Sequence, residues 1–152
     1  MKLAFRIKHY FFNAFREIFV HHHGSLEFRA KIFALIIAAN EKPKVDNFIL
    51  VKELALKIYK DDEDRANLLL LTTKELVEKI RKQNSLDSLI FALQKELKII
   101  PRYAKKIDID SLRNFLIYSN DDDTLAYQEN ILEFLQKLKD ETLNKEESKK
   151  EK

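Results

Sequence analysis

Residues 26–40 read LEFRAKIFALIIAAN, and this stretch decides the fold. Apart from Glu27, Arg29 and Lys31 near its start, it is apolar up to Asn40. A helix that is apolar on all sides is stable only when other elements surround it. The stretch therefore predicts a buried central helix. It ends at Asn40, before a polar turn in which Pro43 disfavours further helix.

The segments downstream of this helix carry amphipathic patterns, with apolar residues three and four positions apart. They predict five more helices separated by short polar turns. The predicted elements are a helix over about 45–60, one capped by Asp61 or Asp62, one from Asn84 or Ser85 to Pro101, a short one capped by Asp110 or Ser111, and one after residues 120–123.

Composition narrows the class of protein. The chain has one glycine, two prolines and no cysteine. Tight hairpins and phosphate-binding loops need glycines that this chain lacks, and disulfides or thiolate metal sites need cysteine. The sequence therefore predicts an all-α protein, a compact bundle of about seven helices. Its net charge of +3 is too small to indicate nucleic-acid binding by itself.

The N-terminal segment, residues 1–23, is basic and aromatic, and a helix is predicted over residues 2–22 with Gly24 ending it and Ser25 capping the next. Three interpretations stand for this helix. It packs on the bundle, it lies on an anionic membrane surface, or it docks on a protein partner. The residues expected to make the membrane or partner contact are Lys2, Phe5, Arg6, Lys8, Phe12, Arg16 and Phe19.

Three regions are expected along the chain. Residues 1–23 form the basic aromatic helix, residues 24–143 form the helical domain, and residues 144–152 form a charged tail that has no apolar residue. Such a tail cannot bury apolar surface, so it is predicted to be disordered. No segment is long and apolar enough to span a membrane.

An internal repeat is visible when residues 35–45 are aligned without gaps on residues 115–125. Each stretch has an apolar helix end, an asparagine (Asn40 or Asn120), a polar turn of four residues and an apolar residue that opens an amphipathic helix. The alignment favours a degenerate duplication of a helix–loop–helix unit.

Residues Lys31–Tyr59, KIFALIIAANEKPKVDNFILVKELALKIY, resemble the TerB-like family, named for tellurite-resistance proteins. The family pattern is an apolar helix ending in Ala-Ala-Asp-Gly, a short turn, an apolar residue and a Glu four positions later. The resemblance covers residues 26–140. It implies a bundle of two related halves, acidic metal sites, and a role in stress-response assemblies at the membrane.

The first half departs from this pattern, since Asn40, Glu41 and Ile49 stand where the family has Asp, Gly and an acidic residue. In the second half Asn120 again replaces the Asp, but carboxylates follow it. The candidate ligands for a divalent cation are Asn120, Asp121, Asp122, Asp123 and Glu129. The alternative is that these acids stabilise a helix N-terminus through the helix dipole.

No catalytic constellation is recognisable, and the consecutive residues His21, His22 and His23 point in different directions on a helix. We therefore expect a non-catalytic TerB-like binding or scaffolding module with a protein partner and no required cofactor. It would be cytoplasmic, and peripheral at the inner membrane face through residues 2–22. The second interpretation is a stress-resistance protein that binds a divalent metal through residues 120–129.

The sequence does not predict nucleic acid as a partner. Arg102, Lys105 and Lys106 lie near Tyr103, but they do not extend into a long basic patch.

Overall fold

In the computed structural model, residues 24–150 are described, and all of their regular structure is helical. The all-α prediction is confirmed for this part of the chain. The α-helices are α1 (Gly24–Ile37), α2 (Val45–Ile58), α3 (Glu63–Gln83), α4 (Leu86–Ile99), α5 (Ile109–Arg113) and α6 (Asp122–Lys150). Two short 3-10 helices, Pro101–Lys106 and Asn114–Tyr118, flank α5.

Helix α1 is the centre of the bundle, as its apolar sequence predicts. It contacts α3 and α4 along its sides, together with α6 and the 3-10 helix Pro101–Lys106. Phe28, Leu35 and Ile36 have no exposed surface. Two ring pairs tie α1 to the second half of the chain, since Phe28 lies 5.3 Å from Tyr103 and Phe33 lies 5.6 Å from Phe115 between ring centroids.

The helix ends use residues other than glycine. Asp62 caps α3 by accepting a hydrogen bond from the Arg65 N–H at 3.2 Å. Asn84 ends the same helix in the left-handed region, with φ 49°. Lys60 and Asp61, in the turn before α3, also have positive φ values of 52° and 66°. Positive φ is strained for residues other than glycine, and asparagine and aspartate tolerate it best.

Two sequence-based boundaries are wrong. The cap of α5 is Asp108, rather than Asp110 or Ser111, because its Oδ1 accepts from the Ser111 N–H at 3.3 Å and its Oδ2 accepts from the Ser111 hydroxyl at 2.7 Å. Ser25 does not cap α1 either, since it lies inside that helix. The 3-10 helix that begins at Pro101 was not predicted. It follows from the proline at its first position, which fixes φ without sacrificing a hydrogen bond.

The prediction of a disordered tail is wrong for residues 144–150, which continue α6 to Lys150. Lysine and glutamate are good helix formers, and the helix is already nucleated by its packed N-terminal part. Lys149 and Lys150 also lie where the helix dipole favours positive charge. Absence of apolar residues removes packing at this end, but it does not remove helix propensity.

The helix predicted over residues 2–22 lies outside the described residues. Within residues 24–150, no helix combines the length and the apolar character that crossing a bilayer requires.

Candidate functional site

The two turns of the sequence repeat lie against each other. Asn40, which is buried, accepts a hydrogen bond through Oδ1 from the Asn120 backbone N–H at 2.9 Å. The Asn120 side chain binds in return to Lys42, accepting from its N–H and donating to its carbonyl, each at 3.0 Å. These asparagines therefore join the turn after α1 to the turn before α6.

Gln128 reinforces this junction from α6. Its side chain has no exposed surface, and its Nε2 donates to the Ile36 carbonyl at 2.8 Å. Its Oε1 accepts from the Ser119 hydroxyl. These two hydrogen bonds fix the side-chain amide of Gln128 at the end of the buried helix α1.

The candidate metal ligands lie at the start of α6. Asp121 accepts from the Thr124 N–H at 2.7 Å, and this backbone hydrogen bond holds the pKa of Asp121 below its usual value. Asp122, Asp123 and Glu129 are exposed. In the described part of the chain, no three acids or histidines are grouped with the geometry of a metal site. The metal site stays a prediction. Asp121 caps the N-terminus of α6 through the hydrogen bond from the Thr124 N–H, and the interaction of the acids with the helix dipole also stays a prediction.

The candidate contact residues Lys2, Phe5, Arg6, Lys8, Phe12, Arg16 and Phe19 belong to the segment outside the described residues, as do the three consecutive histidines. Their membrane or partner contacts stay predictions.

A different site emerges from the tertiary structure, a cleft of about 360 Å³ that we call the basic cleft. Helices α1 and α2, the 3-10 helix Pro101–Lys106 and the start of α5 surround it. Its cations are Arg29, Lys57, Lys105 and Lys106. Its remaining lining residues are Ile32, Phe33, Leu54, Ile58, Asp108, Ser111 and Leu112.

The apolar residues of the basic cleft come from the hydrophobic core. Ile32, Leu54 and Leu112 are buried, and Ile58 packs partly buried beside them. Because core packing fixes these side chains from behind, the apolar floor of the cleft is rigid. Lys57 and Lys105 are exposed beside it, whereas Arg29 and Lys106 are half-buried.

No acid in the described part of the chain pairs with the positive charges of the basic cleft. Within residues 24–150, Arg29, Lys57, Lys105 and Lys106 form no ion pair. The Arg29 guanidinium lies 5.6 Å from the centroid of the Tyr59 ring, a cation–π contact that holds the charge without cancelling it.

The pKa values of Lys106 and Asp108 in the cleft are both shifted from their usual values. Burial lowers the pKa of Lys106, and the positive charges of Arg29 and Arg102 lower it further. Asp108 is the one carboxylate among the residues that line the cleft. The side-chain hydrogen bond from Ser111 is the main cause that lowers the pKa of Asp108, so this carboxylate is ionised but engaged in capping α5. An anion that enters the cleft would meet a surplus of positive charge.

A larger groove of about 570 Å³ runs between α4 and the C-terminal half of α6. Phe91, Leu97 and Leu138 contribute apolar surface there. Its lysines are interspersed with Glu141 and Glu146, so its charge is mixed. The basic cleft has the more distinctive chemistry, because one sign of charge dominates over an apolar floor.

Sequence reasoning found only part of the basic cleft. Lys105 and Lys106 form a short basic stretch in the sequence, but Arg29 and Lys57 belong to other helices. No local spacing relates the three segments. A search for basic residues one turn apart would not detect them, since only the packing of α1 and α2 against the 3-10 helix brings them together.

No family model matches the chain, and neither a curated protein nor a solved structure is significantly similar to it. The resemblance of residues 31–59 to the TerB-like family stays a prediction.

Proposed function

We propose that this protein is a non-catalytic binding module that captures an acidic segment of a partner protein in the basic cleft. The observation that carries the proposal is the group of four cations over an apolar floor, with no ion pair to an acid in residues 24–150. Opposite charge on a partner steers its approach and fixes its register.

The lowered pKa of Lys106 supports the proposal. Burial is the main cause of that shift, and repulsion from Arg29 and Arg102 adds to it, so the positive charge of Lys106 carries a cost in the folded state. A bound carboxylate would relieve that cost, and part of the binding free energy would come from this relief.

The proposal is a specific form of the scaffolding role expected from the sequence. From the TerB-like resemblance we propose that the partner belongs to a stress-response or tellurite-resistance assembly at the cytoplasmic face of a membrane. Residues 2–22 would then supply recruitment, and the basic cleft would supply partner choice.

Charge reversal tests the proposal. Pools of short fluorescein-labelled peptides, acidic, neutral or basic, are titrated with the full chain while fluorescence anisotropy is measured. We expect the acidic pool to bind, with an affinity that falls as salt rises. The Lys57→Glu/Lys105→Glu variant should lose at least tenfold in affinity.

The matched control is Lys79→Glu/Lys82→Glu, which changes the net charge equally on exposed positions of α3. It should change the affinity less than threefold. Equal losses in both variants would show a general charge effect, and absence of binding by the acidic pool would refute the proposed function.

A further inference from the structure

The apolar floor of the basic cleft indicates more about the ligand than the surrounding charges do. Ile32, Leu54 and Leu112 are buried yet line the cleft, and Ile58 adds a partly exposed side chain. A site that recognised carboxylates alone would need only the surrounding cations. Apolar surface at the base of a cleft favours ligands that bring an apolar group to cover it.

We infer, on the basis of the proposed function, that the partner segment recognised here is extended and carries one aliphatic or aromatic side chain flanked by carboxylates. The apolar side chain covers the floor formed by Ile32, Leu54 and Ile58. The carboxylates meet the surrounding cations, which come from three elements: Arg29 from α1, Lys57 from α2 and Lys106 from the 3-10 helix.

The size of the cleft indicates an extended segment. Its volume of about 360 Å³ is at the lower end of the range of roughly 300–1,000 Å³ for small-ligand pockets. A helix is about 10–12 Å across with its side chains, which is too wide for such a space. One or two side chains of an extended peptide are a better match.

The distribution of charge favours a peptide over nucleic acid. A nucleic acid needs a basic surface that follows its backbone over several phosphates. Here the cations surround a single cleft, and Asp108 and the nearby exposed Asp110 interrupt the positive surface on the α5 side. A flat bilayer surface would reach Lys57 and Lys105, which are exposed, but it would leave the recessed floor uncovered.

Two peptides that differ at one position test the inference. Both are acidic and fluorescein-labelled, and the central residue is Leu in one and Ser in the other. Fluorescence anisotropy with the full chain should show the Leu peptide binding about tenfold tighter or more, as expected for burying one apolar side chain.

Two variants locate this preference. Ile58→Ser, at a partly buried floor position, should reduce the preference for Leu to less than threefold, while the Ser peptide binds as before. Lys57→Glu/Lys105→Glu should weaken both peptides equally. Phe91→Ser, at an exposed apolar position outside the cleft, is the control and should change neither affinity. Circular dichroism confirms that each variant is folded.

The outcomes separate the inference from the proposed function. If both peptides bind equally and charge reversal still weakens them, the apolar requirement is wrong and the proposed function stands. If neither peptide binds, both fail. If phosphatidylserine vesicles or a single-stranded oligonucleotide bind in a cleft-dependent way and the peptides do not, the partner class is wrong.

Discussion

The Asn120 backbone N–H lies 2.9 Å from Asn40 Oδ1, so one buried side chain joins two turns that are 80 positions apart in the sequence. The same Asn40 side chain donates through Nδ2 to the Ile37 carbonyl at 3.1 Å. Its donor and its acceptor are thus both used. These asparagines occupy equivalent positions of the sequence repeat. The contact between them joins the turn after α1 to the turn before α6.

Replacing the small Asn40 side chain should lower the free energy of unfolding strongly. Asn40→Ala leaves the Asn120 N–H and the Ile37 carbonyl without this partner, and an unsatisfied buried polar group costs about 1–3 kcal/mol. Asn40→Asp should also destabilise, because a carboxylate oxygen would face the Ile37 carbonyl. Urea unfolding measures both losses. Asn130→Ala, an exposed position on α6, should change stability by less than about 0.5 kcal/mol.

Replacing Lys60 with glycine should stabilise the protein, because the φ of 52° at Lys60 is strained for a residue with a Cβ atom. The relief is reduced by the greater chain entropy of glycine in the unfolded state. We expect Lys60→Gly to raise the free energy of unfolding by about 0.5–1 kcal/mol. Lys79→Gly, in the interior of α3, should instead lower it by about 1 kcal/mol. A change of the same sign in both variants would contradict the role assigned to positive φ.

The protonated form of Lys106 should lower the free energy of unfolding at neutral pH. Burial and the charges of Arg29 and Arg102 disfavour that form in the folded state and lower the pKa of Lys106 below 10.5. Between the lowered folded pKa and the unfolded value, the unfolded chain binds more protons, so stability rises with pH in that window. Lys106→Met should therefore stabilise the protein at pH 7 by less than about 1 kcal/mol, since water screens a half-buried charge.

The advantage of Lys106→Met should shrink as pH rises through that window, where the wild-type lysine loses its proton. Urea unfolding at several pH values measures it. The exposed Lys137→Met is the control and should give no such pH-dependent gain. A destabilised Lys106→Met protein at pH 7 would show that the lysine stem contributes more through packing than its charge costs.

Asp108 should contribute stability that is present above its unfolded pKa and is lost as pH falls through its lower folded pKa. The side-chain hydrogen bond from Ser111 is the largest cause of this shift. Ser111→Ala should therefore raise the pKa of Asp108 toward 3.8, as followed by carbon NMR of the carboxyl group. Asp108→Ala should cost about 0.5–2 kcal/mol through loss of the cap. Ser88→Ala on α4 is the control for the pKa.

The helices follow from local sequence to a large degree. The all-round apolar character of residues 26–40 predicted the buried helix α1, and the amphipathic stretch that begins at Val45 predicted α2. Local rules failed where two signals competed. Asp108 and Asp110 are both good capping residues, and only the path of the chain after Ile107 decides which one caps α5.

Much less of the candidate site could be predicted from the sequence. Acidic residues 121–123 suggested a metal site because carboxylates are adjacent in the chain, whereas the structure gives Asp121 a hydrogen bond from the Thr124 N–H. The basic cleft needs Arg29 from α1, Lys57 from α2 and Lys106 from a 3-10 helix. Sequence spacing reports the faces of single helices, and it carries no information about which faces meet.

The sequence by itself determined that the chain folds into helices with α1 at the centre. The reason is that helix formation and burial of an apolar segment depend on side chains a few positions apart. Only the tertiary structure decided that Asn40 binds Asn120 and that four cations surround one apolar floor. Those contacts depend on the order and angles of helix packing, which arise from the whole set of core contacts together.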